Sequence, residues 1–130
     1  MNNQRSLTKT LLLEICSRGG LSRRDFITLG NYRPASVQAA VNECKVAGLI
    51  VEPERNYPKT GRKSPELRLN GAYGTFLGLE LQPTVLLGVV VDFSGQVLAR
   101  ENRVSAEPFT AGRARDGLRE ICARLRVGAG

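Results

Sequence analysis

The chain has 130 residues, enough for one ordinary domain or for a small domain joined to part of another. Its 19 Lys and Arg outweigh 12 Asp and Glu, a formal net charge of +7, which suits an anionic partner. The longest apolar run, Val85 to Val91, falls far short of the about 20 residues that a membrane span requires, and no secretion-signal core follows the polar opening Asn2-Asn3-Gln4.

The charge is unevenly placed. Up to Asn70 there are 12 basic and 6 acidic residues, a net +6; from Gly71 onward there are 7 and 6, a net +1. That split suits a nucleic-acid module followed by a neutral one, although a generally arginine-rich soluble protein would carry the same total. Cys16, Cys44 and Cys122 are odd in number, widely spaced and set in apolar helical patterns. They read as small buried side chains in a reducing cytoplasm rather than as a disulfide framework. With no His and no two Cys close together, neither a metal site nor a cofactor is expected, and the commonest general base is missing.

In chain order, Leu7, Leu11, Leu12 and Ile15 recur at helical spacing, which predicts a helix from Leu7 to Cys16, capped by Ser6 and ended by Gly19-Gly20. A second helix is predicted from Ser22 to about Leu29, with Ser22 as N-cap, Asp25 returning the interaction, and Phe26 and Leu29 facing inward. Gly30-Asn31 breaks the chain. The third helix starts at Pro34, whose missing N–H costs nothing at a first helical position, while Arg33 is a weak cap. Val37, Ala40, Val41 and Cys44 form its inner stripe and Gly48 closes it. The opposite face carries Ala35, Ser36, Gln38, Ala39, Asn42 and Lys45, with no acidic residue. Leu49 to Glu52 and Glu66 to Leu69 then read as two strands flanking the polar loop Pro53 to Pro65. That order (three helices, then a two-stranded wing) is a winged helix-turn-helix.

Past Asn70 the pattern changes. Tyr73 to Leu81, Thr84 to Phe93 and Gln96 to Arg103 are Val- and Leu-rich segments separated by tight turns, which predicts a three-stranded antiparallel sheet. A final helix over Thr110 to Arg126 carries Ala114, Leu118, Ile121, Cys122 and Leu125 on one face. The expected class is α+β, with a DNA-binding unit at 1–70 and an incomplete second unit at 71–130.

In a helix-turn-helix the second helix of the pair enters the major groove. Here that helix, about 34–47, offers Arg33, Pro34, Ala35, Ser36, Gln38, Ala39, Asn42 and Lys45. Gln38 and Asn42 are four apart and share a face, and an amide can pair bidentately with adenine. Arg33 suits a guanine or a phosphate. Ser22 and Arg23 open the second helix, where free N–H groups favour phosphate. The loop supplies Lys59, Thr60, Gly61, Arg62 and Lys63, with Gly61 letting Arg62 approach a narrow groove. Each element also has a plain reading: solvated helix surface for the amides, a charged hairpin tip for the loop.

The strings Leu21-Ser22-Arg23-Arg24-Asp25, Ser36-Val37, Val41-Asn42-Glu43, Gly48-Leu49-Ile50, Thr60-Gly61-Arg62-Lys63 and Leu67-Arg68-Leu69-Asn70 resemble the N-terminal region of ROK-family transcriptional repressors. Gly78-Leu79-Glu80-Leu81, and Val91 through Ala99, resemble the start of that family's actin-like, sugar-kinase ATPase domain. The resemblance implies a cytoplasmic repressor of sugar-metabolism genes, a homodimer on a palindromic double-stranded operator, with a sugar or sugar phosphate altering affinity. It also implies that the sugar site, a cysteine-rich zinc motif and the main dimer surface would lie beyond Gly130. Kinases of the family carry an Asp-x-Gly-Gly-Thr phosphate loop where this chain has Glu80-Leu81-Gln82-Pro83-Thr84. Gln82 adds a side chain and Pro83 has no N–H, so that cradle is lost and no enzyme is expected. The alternative is a protein-interaction or dimerisation module that uses the winged helix and open sheet edges.

Overall fold

A computed structural model describes residues 2–53 and 65–128; the loop candidates Lys59, Thr60, Gly61, Arg62 and Lys63 lie outside the described residues. Among those described are four α-helices and two three-stranded antiparallel sheets. The chain divides into two compact units, Met1–Tyr73 and Gly74–Gly130.

The first unit begins with α1 (Asn2–Arg18), several residues before the expected start. Ser6 is therefore interior, its carbonyl accepting from the Thr10 hydroxyl at 2.9 Å, rather than a cap. Contacts with α3 (Pro34–Val46) accompany the early start: Gln4 Nε2 donates to the Ser36 carbonyl at 3.4 Å, and Thr8 Oγ1 to Glu43 Oε2 at 2.8 Å. Nothing in Asn2 to Arg5 breaks a helix, so tertiary contact decides its length. Gly19, at φ +73, ends α1 in the left-handed region that glycine enters freely.

Leu21–Ser22 forms a short strand, β1, that the sequence pattern does not show. It pairs with β3 (Glu66–Leu69), which also pairs with β2 (Ile50–Val51), giving the order β1-β3-β2. The expected two-stranded sheet thus has three strands. In register, Leu21 sits opposite Leu67 and Ile50 opposite Leu69. Leu67 is fully buried, and around it lie Leu7, Leu11 and Ile15 of α1, Phe26 of α2 (Arg23–Gly30), and Val37, Ala40, Val41 and Cys44 of α3. Burial raises the Cys44 thiol pKa, with Glu43 adding to the rise.

Two inward assignments are corrected. Leu29 is half exposed, because the eight-residue α2 turns only Phe26 fully into the core. Cys16 is exposed, because the inner stripe of α1 runs Leu7, Leu11, Ile15, and the next residue is rotated about 100° off it. Asn31, at φ 49, closes α2, and Tyr32 then packs on Phe26 with ring centroids 4.9 Å apart. Near the end of the first unit, Asn70 bonds to both sides. Its Nδ2 donates to the Gly48 carbonyl at 2.8 Å and its Oδ1 accepts from Ala72 N–H at 3.2 Å.

The second unit is a meander of β4 (Thr75–Leu81), β5 (Val85–Asp92) and β6 (Val97–Val104), followed by α4 (Ala111–Gly128). Strand β5 is central, with a register shift at Val90/Val91. Leu86 and Val90 alternate onto one face and meet Ile121 and Leu125 of α4. The helix lies close because Gly88 and Gly117 carry no side chain: a Cβ on Gly88 would strike Ile121 and come within 2.8 Å of Leu125 Cδ1. Leu77, Leu79 and Leu81 of β4 share the helix-facing side by register but remain roughly half exposed.

Candidate nucleic-acid interface

Local chemistry sets the start of α2. Ser22 is extended at φ −79 and ψ 154, accepts the Asp25 N–H at 3.1 Å, and donates its hydroxyl to Asp25 Oδ2 at 2.6 Å. It is the expected N-cap, with the return interaction made to its hydroxyl. Ser22 is only 8% exposed, so its side chain serves the fold.

Arg23, expected to face phosphate, and Lys45, expected on the outward face of the reading helix, both bond to Glu52. Arg23 Nη1 and Nη2 donate to Glu52 Oε2 and Oε1 at 2.7 and 2.6 Å, a bidentate fork, and Lys45 Nζ donates to Oε1 at 2.9 Å. Those bonds, the Arg23 hydrogen bond foremost, bring the Glu52 pKa down to about 2 against the opposing effect of burial. The same bond raises the Arg23 pKa. Glu52 carries no sequence signal as a site residue. It sits 29 positions from Arg23 and seven from Lys45, and only folding brings them together.

The outward side of α3 is different. Arg33 caps the helix with extended backbone (φ −69, ψ 130) and makes no side-chain cap bond; Pro34 follows in the first turn. Arg33, Ala35, Gln38, Ala39 and Asn42 are exposed. Gln38 Nε2 donates to Asn42 Oδ1 at 2.9 Å, so the two amides form a pre-aligned couple that leaves Gln38 Oε1 and the Asn42 NH2 outward. Ser36 is half-buried beside a cleft of about 520 Å³ whose lining mixes polar groups of Gln4, Thr10 and Arg33 with apolar Leu7 and Tyr32. Glu43, on the same helix, accepts from Thr8 of α1. The structure thus brings Arg33, at the cap of α3, and Ala35, Gln38, Ala39 and Asn42 onto one exposed stretch, buries Ser22, and pairs Arg23 and the half-exposed Lys45 with Glu52.

In the second unit, the turn joining β4 and β5 uses its own polar groups. Gln82 N–H donates to the Val85 carbonyl at 2.8 Å, and the carbonyls of Pro83 and Thr84 accept from Phe109 and Ser105 N–H at 2.7 and 2.9 Å. Among the described residues no three His, Cys, Asp or Glu side chains gather as metal ligands, and no helix is long and apolar enough to cross a membrane.

No family model matches the chain, and no curated protein matches it. Among solved structures it is similar to one described as the ROK family transcriptional regulator, homolog of the E. coli Mlc protein, with a TM-score of 0.53 and 24% identity. The likeness is one of fold. It covers 84% of this chain but only 28% of that one.

Proposed function

We propose that the first unit is a winged helix-turn-helix that binds double-stranded DNA in a sequence-specific manner, and that the chain acts in the cytoplasm as a transcriptional repressor without catalytic activity. In this reading α3 lies in the major groove and the loop 53–65 follows the backbone or minor groove, with Lys59, Thr60, Gly61, Arg62 and Lys63 as its contacts. The observation that carries the reading is the exposed surface of α3. It holds a cation and an aligned amide couple with small Ala35 and Ala39 between them, which admits the close approach that base reading requires. The fold likeness to a transcriptional regulator supports it. A palindromic operator, a homodimer and a role in sugar metabolism follow from the resemblance in sequence. Absence of catalysis is supported by the β4–β5 turn, where Pro83 offers no N–H and the Gln82 N–H is bonded to the Val85 carbonyl.

Selection of bound duplexes from a random pool tests the proposal. An inverted repeat is expected, with binding that weakens steeply as salt rises, log K falling by about 0.9 per phosphate contact against log salt. A binding curve flat in salt favours the second reading, a protein-interaction module. What speaks for that module is apolar side chains left exposed on the β4–β6 sheet, Leu79 and Leu81 on the helix-facing side and Phe76 on the other.

A further inference from the structure

We infer that Glu52 is a positioning residue for sequence discrimination: it withholds Arg23 and Lys45 from the phosphate backbone and fixes the pose of α3. The inference rests on the DNA reading above and goes beyond it in assigning two conspicuous cations a role other than contact.

Three elements meet at this carboxylate. Arg23 opens α2, Lys45 lies in the last turn of α3, and Glu52 follows β2 directly. Arg23 commits one N–H from each terminal nitrogen to Glu52, and its Nε is buried without a hydrogen-bond partner among the described residues. Swinging this guanidinium out to a phosphate would break two charge-assisted bonds and strand a carboxylate whose side chain is only 17% exposed. Lys45 is held less tightly, with its side chain 45% exposed, but its bond anchors the C-terminal end of α3 while the Arg33–Asn42 stretch stays clear. One anion thus masks two cations that would attract any duplex, whatever its sequence. It also ties the reading helix to α2 and to the end of β2. Sequence-independent attraction is suppressed, and discrimination is left to the exposed amides.

The test uses the whole chain, the duplex recovered by selection, and a random duplex of equal length, each titrated with salt. Glu52→Gln keeps the shape and removes the charge. The ratio of selected to random affinity is expected to fall about tenfold, comparable to losing one good base contact. Binding to the random duplex should strengthen, its salt slope steepening by about 0.9 for each freed cation that reaches a phosphate. Lys45→Gln, at an exposed position that folding tolerates, supplies the second arm: a lower ratio with an unchanged random-duplex slope supports positioning. An equal loss on both duplexes with a shallower slope makes Lys45 a phosphate contact and overturns the inference. A wild-type chain that discriminates while Glu52→Gln discriminates equally well overturns the inference alone. A wild-type chain that binds no duplex overturns the DNA reading and this inference with it.

Discussion

Replacing Glu52 with Gln should cost stability in a way that depends on pH. In the folded chain the carboxyl pKa drops from 4.5 to about 2. At full strength that difference corresponds to about 3 kcal/mol. The Arg23 and Lys45 side chains are 25% and 45% exposed, so screening by solvent reduces the contribution to about 1–2 kcal/mol. Because folding lowers this pKa, the contribution is fully present above the unfolded value near 4.5 and is lost as pH falls toward 2. At pH 7 the variant should therefore unfold about 1–2 kcal/mol more easily, and near pH 2.5 the gap should shrink to a few tenths. Urea titration followed by tyrosine fluorescence reads this cleanly. The chain has no Trp, and Tyr32, Tyr57 and Tyr73 all precede Gly74, so the signal reports the first unit alone. A difference that stays constant from pH 7 to pH 3, or a variant as stable as wild type at pH 7, would refute the link between this ion cluster and the fold.

Other perturbations reach different parts of the molecule. Ser22→Ala removes the N-cap of α2 and should cost about 0.5–2 kcal/mol in the same urea assay, since the Asp25 N–H and carboxylate both lose their partner. Leu67→Ala, at the centre of the first core, should cost about 2–5 kcal/mol there. Gly88→Ala forces a methyl into Ile121 and Leu125 and should lower the stability of the second unit by about 1–3 kcal/mol, read as faster amide exchange along α4. On selected duplexes, Gln38→Ala should weaken binding by about 1–3 kcal/mol at one base position only. Arg62→Ala should weaken binding on all sequences alike. Equal losses from both variants on every duplex would show the groove assignment to be wrong.

The identity and order of the elements were legible because apolar residues repeat at 3.6 in the helices and alternate along β4 to β6, and because Ser22, Pro34 and Gly48 mark helix ends by chemistry that acts within a few residues. The exposed stretch of α3 was legible too, since a stripe of Val37, Ala40, Val41 and Cys44 leaves Gln38 and Asn42 on the opposite side whatever the rest of the chain does. Tertiary structure decided the rest. A two-residue strand such as β1 has no period to detect and exists only because Leu67 lies opposite Leu21. The length of α1 depends on α3, and the exposure of Leu29 on what packs beside α2. The pairing of Arg23 and Lys45 with Glu52 is the clearest case. Local sequence places Arg23 at a helix start, where phosphate would suit it, but a carboxylate 29 residues away bonds to it and to Lys45, because charge attraction depends on distance in space and not along the chain.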